Sequence, residues 1–332
     1  MTTDGTDPFA PDSATVIWRF MEECQFDDLL KPFNEQAEWR PPREGATNFY
    51  TFVPGNLWLA YSSFVGDDLE GKMPAVNRDP ELYLDRAKRF LKLSLAESAA
   101  FRERFGTADH SRIRKGFVNM ADLCGSSCWT MNGPDDWMMW NFAGDKNGVA
   151  IRSTVVHVFE ALDTAMHRQL AAEPTACAVG YVDHDTFFLP HDGFRGLLSI
   201  VSSCWSDQSE IRFVAKSARL AAIPSKLSKG VVFTSKPHPE AINISEFNPT
   251  EFEEPFSSDE IMNFIYGYID QVSAAINSRK ATGKKGFHLP VCLEKLIAEV
   301  VVSSSSDDEY VQKVTDQLKA VGVTVPVIRS SV

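Results

Sequence analysis

The sequence lacks the features that would place the protein in a membrane or on a secretory route. No apolar run approaches the roughly 18 residues that a membrane-spanning helix needs, and the apolar stretches at 196–201 and 300–302 are far shorter. Segment 1–13 is polar and acidic, without the cationic start and apolar stretch of a signal peptide. We therefore expect a cytoplasmic protein without membrane attachment, whose 6 cysteines are reduced thiols.

Positive charge is also scarce, and the common phosphate-binding loops are absent. Acidic residues outnumber basic ones by 45 to 33, which gives a net charge of −12. This balance opposes attraction to phosphate backbones, so we expect no non-specific binding to nucleic acids. The one basic run, 279–285, is typical of a solvated turn after a helix. Neither GxxxxGK[ST] nor a GxGxxG after a strand occurs.

What is present is an ordinary globular composition with two kinds of hydrophobic period. The chain of 332 residues is 44% hydrophobic and 23% charged, which suffices for a large core. Alternating and helical spacings both recur along it. They predict strands at 15–21, 56–64, 148–152, 178–182 and 210–215, and helices at 79–106, 155–170 and 259–278. The predicted fold class is α+β, a mixed sheet flanked by helices, in a single domain 14–332 after a disordered segment 1–13.

The last stretch predicts a C-terminal β-α-β unit. A strand at 299–302 precedes a helix, for which Ser306 and Glu309 would form a capping box. Gly322 would end that helix before a strand at 323–328. Such a unit places its two strands side by side and parallel.

Several short segments, taken together and in order, resemble one microbial family. They are Trp18-Arg19-Phe20-Met21, Leu57-Trp58-Leu59 with Asp68-Leu69-Glu70-Gly71, Cys128-Trp129 with Met139-Trp140, Gly148-Val149-Ala150-Ile151, Trp205 with Glu210-x-Arg212, and Leu296-Ile297 with Val300-Val301-Val302-Ser303 and Arg329-Ser330-Ser331. The chain thereby resembles domain-of-unknown-function family 2971 over nearly its whole length. That family tends to have His where this chain has Thr130, and Glu-Ser where it has Asp135-Asp136.

A second likeness concerns chemistry. ADP-ribosyltransferases hold NAD with an Arg on the first strand, support the site with a Ser that ends a second strand, and use a Gln/Glu-x-Glu pair on a later strand. This chain has Arg19, Ser63 (or its neighbour Ser62) and Gln208-x-Glu210 in the same order. A carboxylate such as that of Glu210 would stabilise the positive charge that develops on the sugar as nicotinamide leaves. The preferred hypothesis is thus a transferase that acts on NAD, of the kind found in toxins and phage-defence effectors. The structural alternative makes Arg19 and Glu210 an ion pair.

The tryptophans between positions 129 and 140 supply a hypothesis of a different class. Trp129 and Trp140, with Trp137 between them, could stack on a flat ligand such as NAD, together with Arg19. The same residues are equally typical of a packed core. The alternative function is therefore a non-catalytic domain whose segment 129–140 binds a small molecule or a protein.

Two further groups of residues carry side chains that bind metals or act as nucleophiles. Asp183-His184-Asp185 and His191-Asp192 offer ligands for zinc or manganese, but there is no HExxH motif and no paired CxxC, so a polar surface loop is the favoured interpretation. Cys128 and Cys204 each precede a Trp in apolar surroundings. That context predicts burial rather than a reactive thiolate. We therefore predict no metal and no cysteine nucleophile.

Overall fold

A computed structural model describes residues 10–32, 55–62, 72–91, 94, 121–122, 124–144, 146–162, 171–189, 197–217, 283 and 285–332. The strands are β1 (Val16–Met21), β2 (Asn56–Tyr61), β3 (Cys124–Thr130), β4 (Val149–Thr154), β5 (Ala171–Ala178), β6 (Gly180–Val182), β7 (Ile200–Ser202), β8 (Glu210–Ser217), β9 (Gly286–Pro290), β10 (Glu299–Val302) and β11 (Val327–Arg329). The α-helices are α1 (Glu23–Leu30), α2 (Ala75–Arg78), α3 (Pro80–Leu91), α4 (Trp137–Trp140), α5 (Val155–Leu162), α6 (Leu293–Leu296) and α7 (Asp308–Ala320), and a 3-10 turn spans Ser203–Gln208.

Within the described ranges, nine strands form one mixed sheet. Its main path runs β11-β10-β4-β1-β3-β2-β9, and β8 pairs with β3 while β5 pairs with β8. Neighbours are antiparallel except β10 and β11, which run parallel. Strands β6 and β7 form a separate parallel pair. The predicted α+β class, a mixed sheet with helices against it, is confirmed.

The main hydrophobic core lies between the sheet and helices α1, α5, α6 and α7. Buried residues of these helices, such as Phe26, Val158 and Val314, belong to one cluster with alternate residues of the strands. We call this side of the sheet the helix face. The opposite side, the second face, carries a smaller cluster of Trp18, Trp140, Ala143, Ala150 and Val301.

The sheet divides at β3. One edge of β3 pairs with β8 from Cys124 to Thr130. Its other edge meets β1 through the pair Trp18–Thr130 and meets β2 at Gly125 and Ser126. β1 pairs with β3 at Thr130, whereas β2 pairs with it at Gly125 and Ser126. Strands β1 and β2 therefore separate from each other along the stretch of β3 that contains Ser127 and Trp129. We call this place the junction.

The C-terminal β-α-β unit is confirmed, with two corrections. Strands β10 and β11 are parallel neighbours joined by α7. The helix cap is Asp307, whose side chain accepts a hydrogen bond from the Tyr310 backbone N–H, and not the predicted Ser306. Ser306 instead donates to the Lys146 carbonyl at 2.8 Å. Gly322 follows the helix with φ of 83°, a left-handed conformation that suits glycine, and the last strand is shorter than predicted.

Strand β3 begins at Cys124 and continues through Gly125. Glycine is needed there for close packing: a Cβ on Gly125 would lie 2.6 Å from a ring carbon of Phe287 and 2.8 Å from Cβ of Leu59. Strands β5 and β9 were not predicted, since neither shows a clear alternation in sequence.

Several predictions fall outside the described residues. These are the disordered segment as far as residue 9, the end of the helix predicted at 155–170, and the helix predicted at 259–278. Within the described ranges, no helix has the length and apolar character to cross a membrane.

Candidate functional site

The structure places Arg19 and Glu210 on opposite faces of the sheet. Trp18, Thr130 and Glu210 lie in one row across β1, β3 and β8, and Trp18 belongs to the cluster of the second face. Arg19 is the next residue of β1, so its side chain points the other way, as do those of Ile17 and Met21 in the core. The transferase hypothesis gathers Arg19, Ser63 and Glu210 around one cleft, whereas the structure has Arg19 and Glu210 on different sides of the sheet.

Glu210 is instead committed to a neighbour on its own strand. Arg212 donates from Nε to Glu210 Oε1 at 2.8 Å and from Nη2 to Oε2 at 3.1 Å, and its Nη1 donates to the Leu198 carbonyl at 3.0 Å. Glu210 is 6% exposed and Arg212 1% exposed. The expected ion pair of Glu210 thus exists, with Arg212 in place of Arg19. Both carboxylate oxygens are occupied, which leaves Glu210 poorly placed to stabilise a reacting sugar.

The remaining predicted transferase residues do not add to such a cleft. Ser63 lies outside the described residues. Its neighbour Ser62 is buried and donates to Asp122 Oδ1 at 3.3 Å. Gln208 ends the 3-10 turn before β8, and its backbone carbonyl accepts a hydrogen bond from the Thr130 hydroxyl at 2.5 Å.

The two tryptophans predicted to stack on a ligand are core residues. Trp129 is 2% exposed on the helix face and packs edge-on against Phe213, with 6.1 Å between ring centroids. Trp140 belongs to the second-face cluster, where its ring meets Phe20 at 5.0 Å. A flat ligand would have to displace these partners. Trp137, in contrast, is 66% exposed.

The residues set aside as metal ligands have structural contacts where they are described. Asp183 accepts hydrogen bonds from the Asp185 backbone and the Thr186 hydroxyl, which together hold its pKa below the usual value. The backbone carbonyl of His184 accepts a hydrogen bond from Ala75. His191 and Asp192 lie outside the described residues, and no cluster of metal-ligating side chains occurs within them.

The cysteines follow the prediction only in part. Cys128 is half-buried, but Cys204 is exposed, contrary to the expectation of burial. The reason is local: Cys204 lies in the 3-10 turn, none of whose residues is buried. An apolar neighbour in sequence, Trp205, does not bury a residue in such a turn.

The two positions at which the chain departs from the family pattern serve the same loop. Thr130 Oγ1 donates to the Gln208 carbonyl and accepts from the Asn132 backbone at 2.9 Å. Asp136 caps α4 by accepting from the Met138 backbone at 3.0 Å. Here both residues stabilise the turn that leads from β3 to α4.

Arg19 itself has an unusual environment at the junction. Its Nη1 donates to the Ser127 hydroxyl oxygen at 2.5 Å, and its guanidinium lies 6.0 Å from the ring centroid of Trp129. The indole N–H of Trp129 donates to the same Ser127 oxygen at 3.1 Å. We call Arg19, Ser127 and Trp129 the junction cluster.

The charge of Arg19 is not neutralised by the described residues. Three other arginines of the sheet, Arg152, Arg212 and Arg329, each have a carboxylate oxygen within 4 Å. For Arg19, no such carboxylate occurs among the residues described. Burial lowers the pKa of Arg19 to about 10, partly offset by the field of Cys128, so the group is still charged at neutral pH. A guanidinium has five N–H donors, and within the described part of the chain the acceptor found for those of Arg19 is the Ser127 oxygen.

Ser127 is the member of the junction cluster that the sequence analysis missed. A signal was present: two serines, Ser126 and Ser127, interrupt an otherwise apolar strand. The alternation of β3 places Ser127 on the same side as Trp129, which was already a candidate. What the sequence did not show was that Arg19 faces this side.

Fold and site together define an α+β protein with a half-buried arginine where its sheet divides, and among the described residues no carboxylate neutralises that arginine. Comparison with protein-family models, with curated proteins and with solved structures yields no match to this chain. The resemblance to domain-of-unknown-function family 2971 therefore rests on the short segments alone and stays a prediction.

Proposed function

We propose that the protein is a non-catalytic binding protein whose ligand is a small molecule with an anionic group, held at the junction by Arg19. The observation that carries the proposal is the lack of a carboxylate near Arg19 among the described residues, although burial lowers its pKa to about 10. A desolvated charge without a counter-ion destabilises a folded protein. An anionic ligand would offset that cost by accepting hydrogen bonds from the Arg19 N–H groups for which the described residues supply no acceptor.

The cation also has the rigidity that a binding site needs. Arg19 is held by a hydrogen bond to Ser127, which is 1% exposed, and lies beside Trp129, which is 2% exposed. Both neighbours belong to β3, which pairs with three other strands, β1, β2 and β8. A guanidinium held in this way loses little conformational entropy when a ligand binds.

NAD remains among the ligands to be tested, because its diphosphate is an anionic group of the right kind. Transfer of ADP-ribose by Glu210 is not part of the proposal. That carboxylate accepts two hydrogen bonds from Arg212 on the second face, whereas Arg19 lies on the helix face. Binding at Arg19 and chemistry at Glu210 would take place on different sides of one sheet.

The proposal is tested by thermal unfolding of wild type and Arg19→Met with phosphate, sulfate or NAD, at constant ionic strength. A ligand at about 100 times its Kd stabilises the folded state by about 2.7 kcal/mol, so wild type should gain several degrees. Arg19→Met should lose this gain. Without ligand, it should be as stable as wild type or more so, by about 1 kcal/mol, because an unneutralised charge has been removed.

Arg152→Met is the matched control. Arg152 lies on β4, which pairs with β1, and its charge is already neutralised by Glu299 at 3.3 Å. This variant should keep the ligand-dependent gain. Phosphate and sulfate also stabilise proteins generally by exclusion from the surface, and any shift that survives in Arg19→Met measures that effect. Equal shifts in all three proteins would mean that no anion binds at Arg19.

A further inference from the structure

We propose that the group bound at the junction is a phosphoryl group, and that Ser127 donates a hydrogen bond to it beside Arg19. This inference rests on the proposed function and identifies the ligand class of the same site. It follows from the hydrogen-bonding capacity of a single buried hydroxyl.

The Ser127 hydroxyl is constrained to act as a donor. A serine hydroxyl has two acceptor lone pairs and one O–H donor. Arg19 Nη1 donates to the Ser127 oxygen at 2.5 Å and Trp129 Nε1 donates to it at 3.1 Å. Neither group can accept a hydrogen bond, so both lone pairs of Ser127 are used and its own proton must point towards another acceptor. Ser127 is 1% exposed, so that acceptor has to lie inside the junction, next to Arg19.

The polar groups of the junction cluster therefore offer donors and no acceptor. A ligand that fits them presents several unprotonated oxygens and no N–H or O–H towards the site. The guanidinium supplies a planar fork for two oxygens, and the hydroxyl adds a donor from β3. A phosphoryl group offers three terminal oxygens to this set, whereas a carboxylate has two and fills the fork alone. The donor set thus favours phosphoryl over carboxylate.

Trp129 has a positioning role in this scheme. Its ring is buried against Phe213, and its indole N–H occupies the second lone pair of Ser127. Without that N–H, Ser127 could turn and accept from another donor. Trp129 thus fixes the direction in which the serine donates and does not itself contact the ligand.

The experiment titrates full-length, ¹⁵N-labelled protein with inorganic phosphate, phenyl phosphate, acetate and benzoate at constant ionic strength. The indole N–H signals of the 7 tryptophans are followed, and Trp129→Phe identifies the signal of Trp129 by its loss. We expect the Trp129 signal to shift with the two phosphates. The corresponding carboxylates should bind at least about tenfold more weakly, because they leave the Ser127 donor without an acceptor.

Variants of Ser127 separate donation from mere packing. Ser127→Ala should lower phosphate affinity about tenfold or more, as expected for a hydrogen bond to a charged group, and leave acetate affinity nearly unchanged. Ser127→Thr keeps the hydroxyl and should keep most of the phosphate affinity. Where a substitution itself changes the position of the Trp129 indole N–H signal, the affinity is measured by fluorescence titration instead.

Trp129→Phe should weaken phosphate binding in wild type but have no further effect in Ser127→Ala, because it acts through the serine. Additive losses would overturn the positioning role of Trp129. Equal affinities for phosphate and acetate, both lost in Arg19→Met, would overturn the phosphoryl assignment and leave the proposed function standing. Phosphate affinity unchanged in Ser127→Ala would also overturn it. Absence of any anion binding that depends on Arg19 would remove the proposed function itself.

Discussion

Arg19, which is half-buried, and Arg212, which is buried, lie on neighbouring parts of one sheet and have opposite electrostatic environments. Arg212 has both oxygens of Glu210 and a backbone carbonyl as acceptors, while Arg19 has one serine oxygen among the described residues. Both residues stood out in the sequence, but the pairing did not. In a strand, residues i and i+2 share a face, so Glu210 and Arg212 were the closer candidates for an ion pair than Arg19 and Glu210.

This difference gives a prediction for Glu210→Gln. The substitution leaves Arg212 buried without a counter-charge, so we expect the free energy of unfolding to fall by about 3 kcal/mol or more. Urea unfolding of wild type and variant measures the change. Replacing Glu210 and Arg212 together by Met should recover much of the loss, because the uncompensated charge is then gone.

Glu299→Gln is the control for this prediction. Its partner Arg152 is 43% exposed, so breaking the pair should cost less than about 1 kcal/mol. A stable Glu210→Gln protein would show that the buried pair contributes little, and would return Glu210 to the list of residues available for chemistry.

At the scale of elements, hydrophobic period predicted β1, β2, β4, β8 and the C-terminal unit, because each is bounded by polar or glycine residues and has one clearly apolar face. It missed β5, which contains Pro174, and β9, which contains Gly286 and Pro290. These residues are typical of turns, but edge positions in a sheet tolerate them. Whether such a segment forms a strand depends on the neighbouring strand with which it pairs, and a single sequence does not show which strands pair.

The start of α7 shows the same limit on a smaller scale. Ser306 and Glu309 fit a capping box, yet Asp307 is the cap. Three consecutive polar residues, Ser306, Asp307 and Asp308, could each cap the helix, and Ser306 is drawn away by the Lys146 carbonyl on another loop. The helix consequently starts one residue later than the pattern suggests.

Asp307→Ala should therefore cost about 1 kcal/mol of unfolding free energy, as the Tyr310 N–H loses its acceptor at 2.8 Å. Glu309→Ala, at an exposed position in the first turn, should cost only a few tenths of a kcal/mol through its interaction with the helix dipole. The two variants are compared by urea unfolding. A larger loss for Glu309→Ala would support the capping box that the sequence suggested.

On the scale of the whole molecule, the net charge of −12 surrounds a site that we propose binds an anion. The overall field repels such a ligand, while the short-range attraction comes from Arg19. Sequence composition indicates the first effect but not the second, since locating Arg19 at the junction requires knowing that β1 and β2 part along β3. Of the junction cluster, Arg19 and Trp129 could thus be predicted from the sequence, whereas Ser127 could not.

This opposition predicts an unusual response to salt. Raising the ionic strength from about 0.01 M to about 0.1 M shortens the screening length from about 30 Å to about 10 Å, which weakens the long-range repulsion more than the contact at Arg19. Affinity for phosphate should therefore rise by a few-fold, as measured by calorimetric titration with a weakly binding salt. If the affinity for phosphate falls as salt is added, positive charge near the site has a larger effect on binding than the negative net charge of the protein.

The division of the sheet also governs how damage spreads through the fold. Three groups of strands, led by β1, β2 and β8, meet at β3 and are joined to one another through it. Opening β3 would break the hydrogen bonds that join these groups within the described sheet, while the core of the helix face still packs against all three. The junction cluster links β1 to β3 through Arg19 and Ser127. A ligand bound to both residues would add a further connection between these two strands.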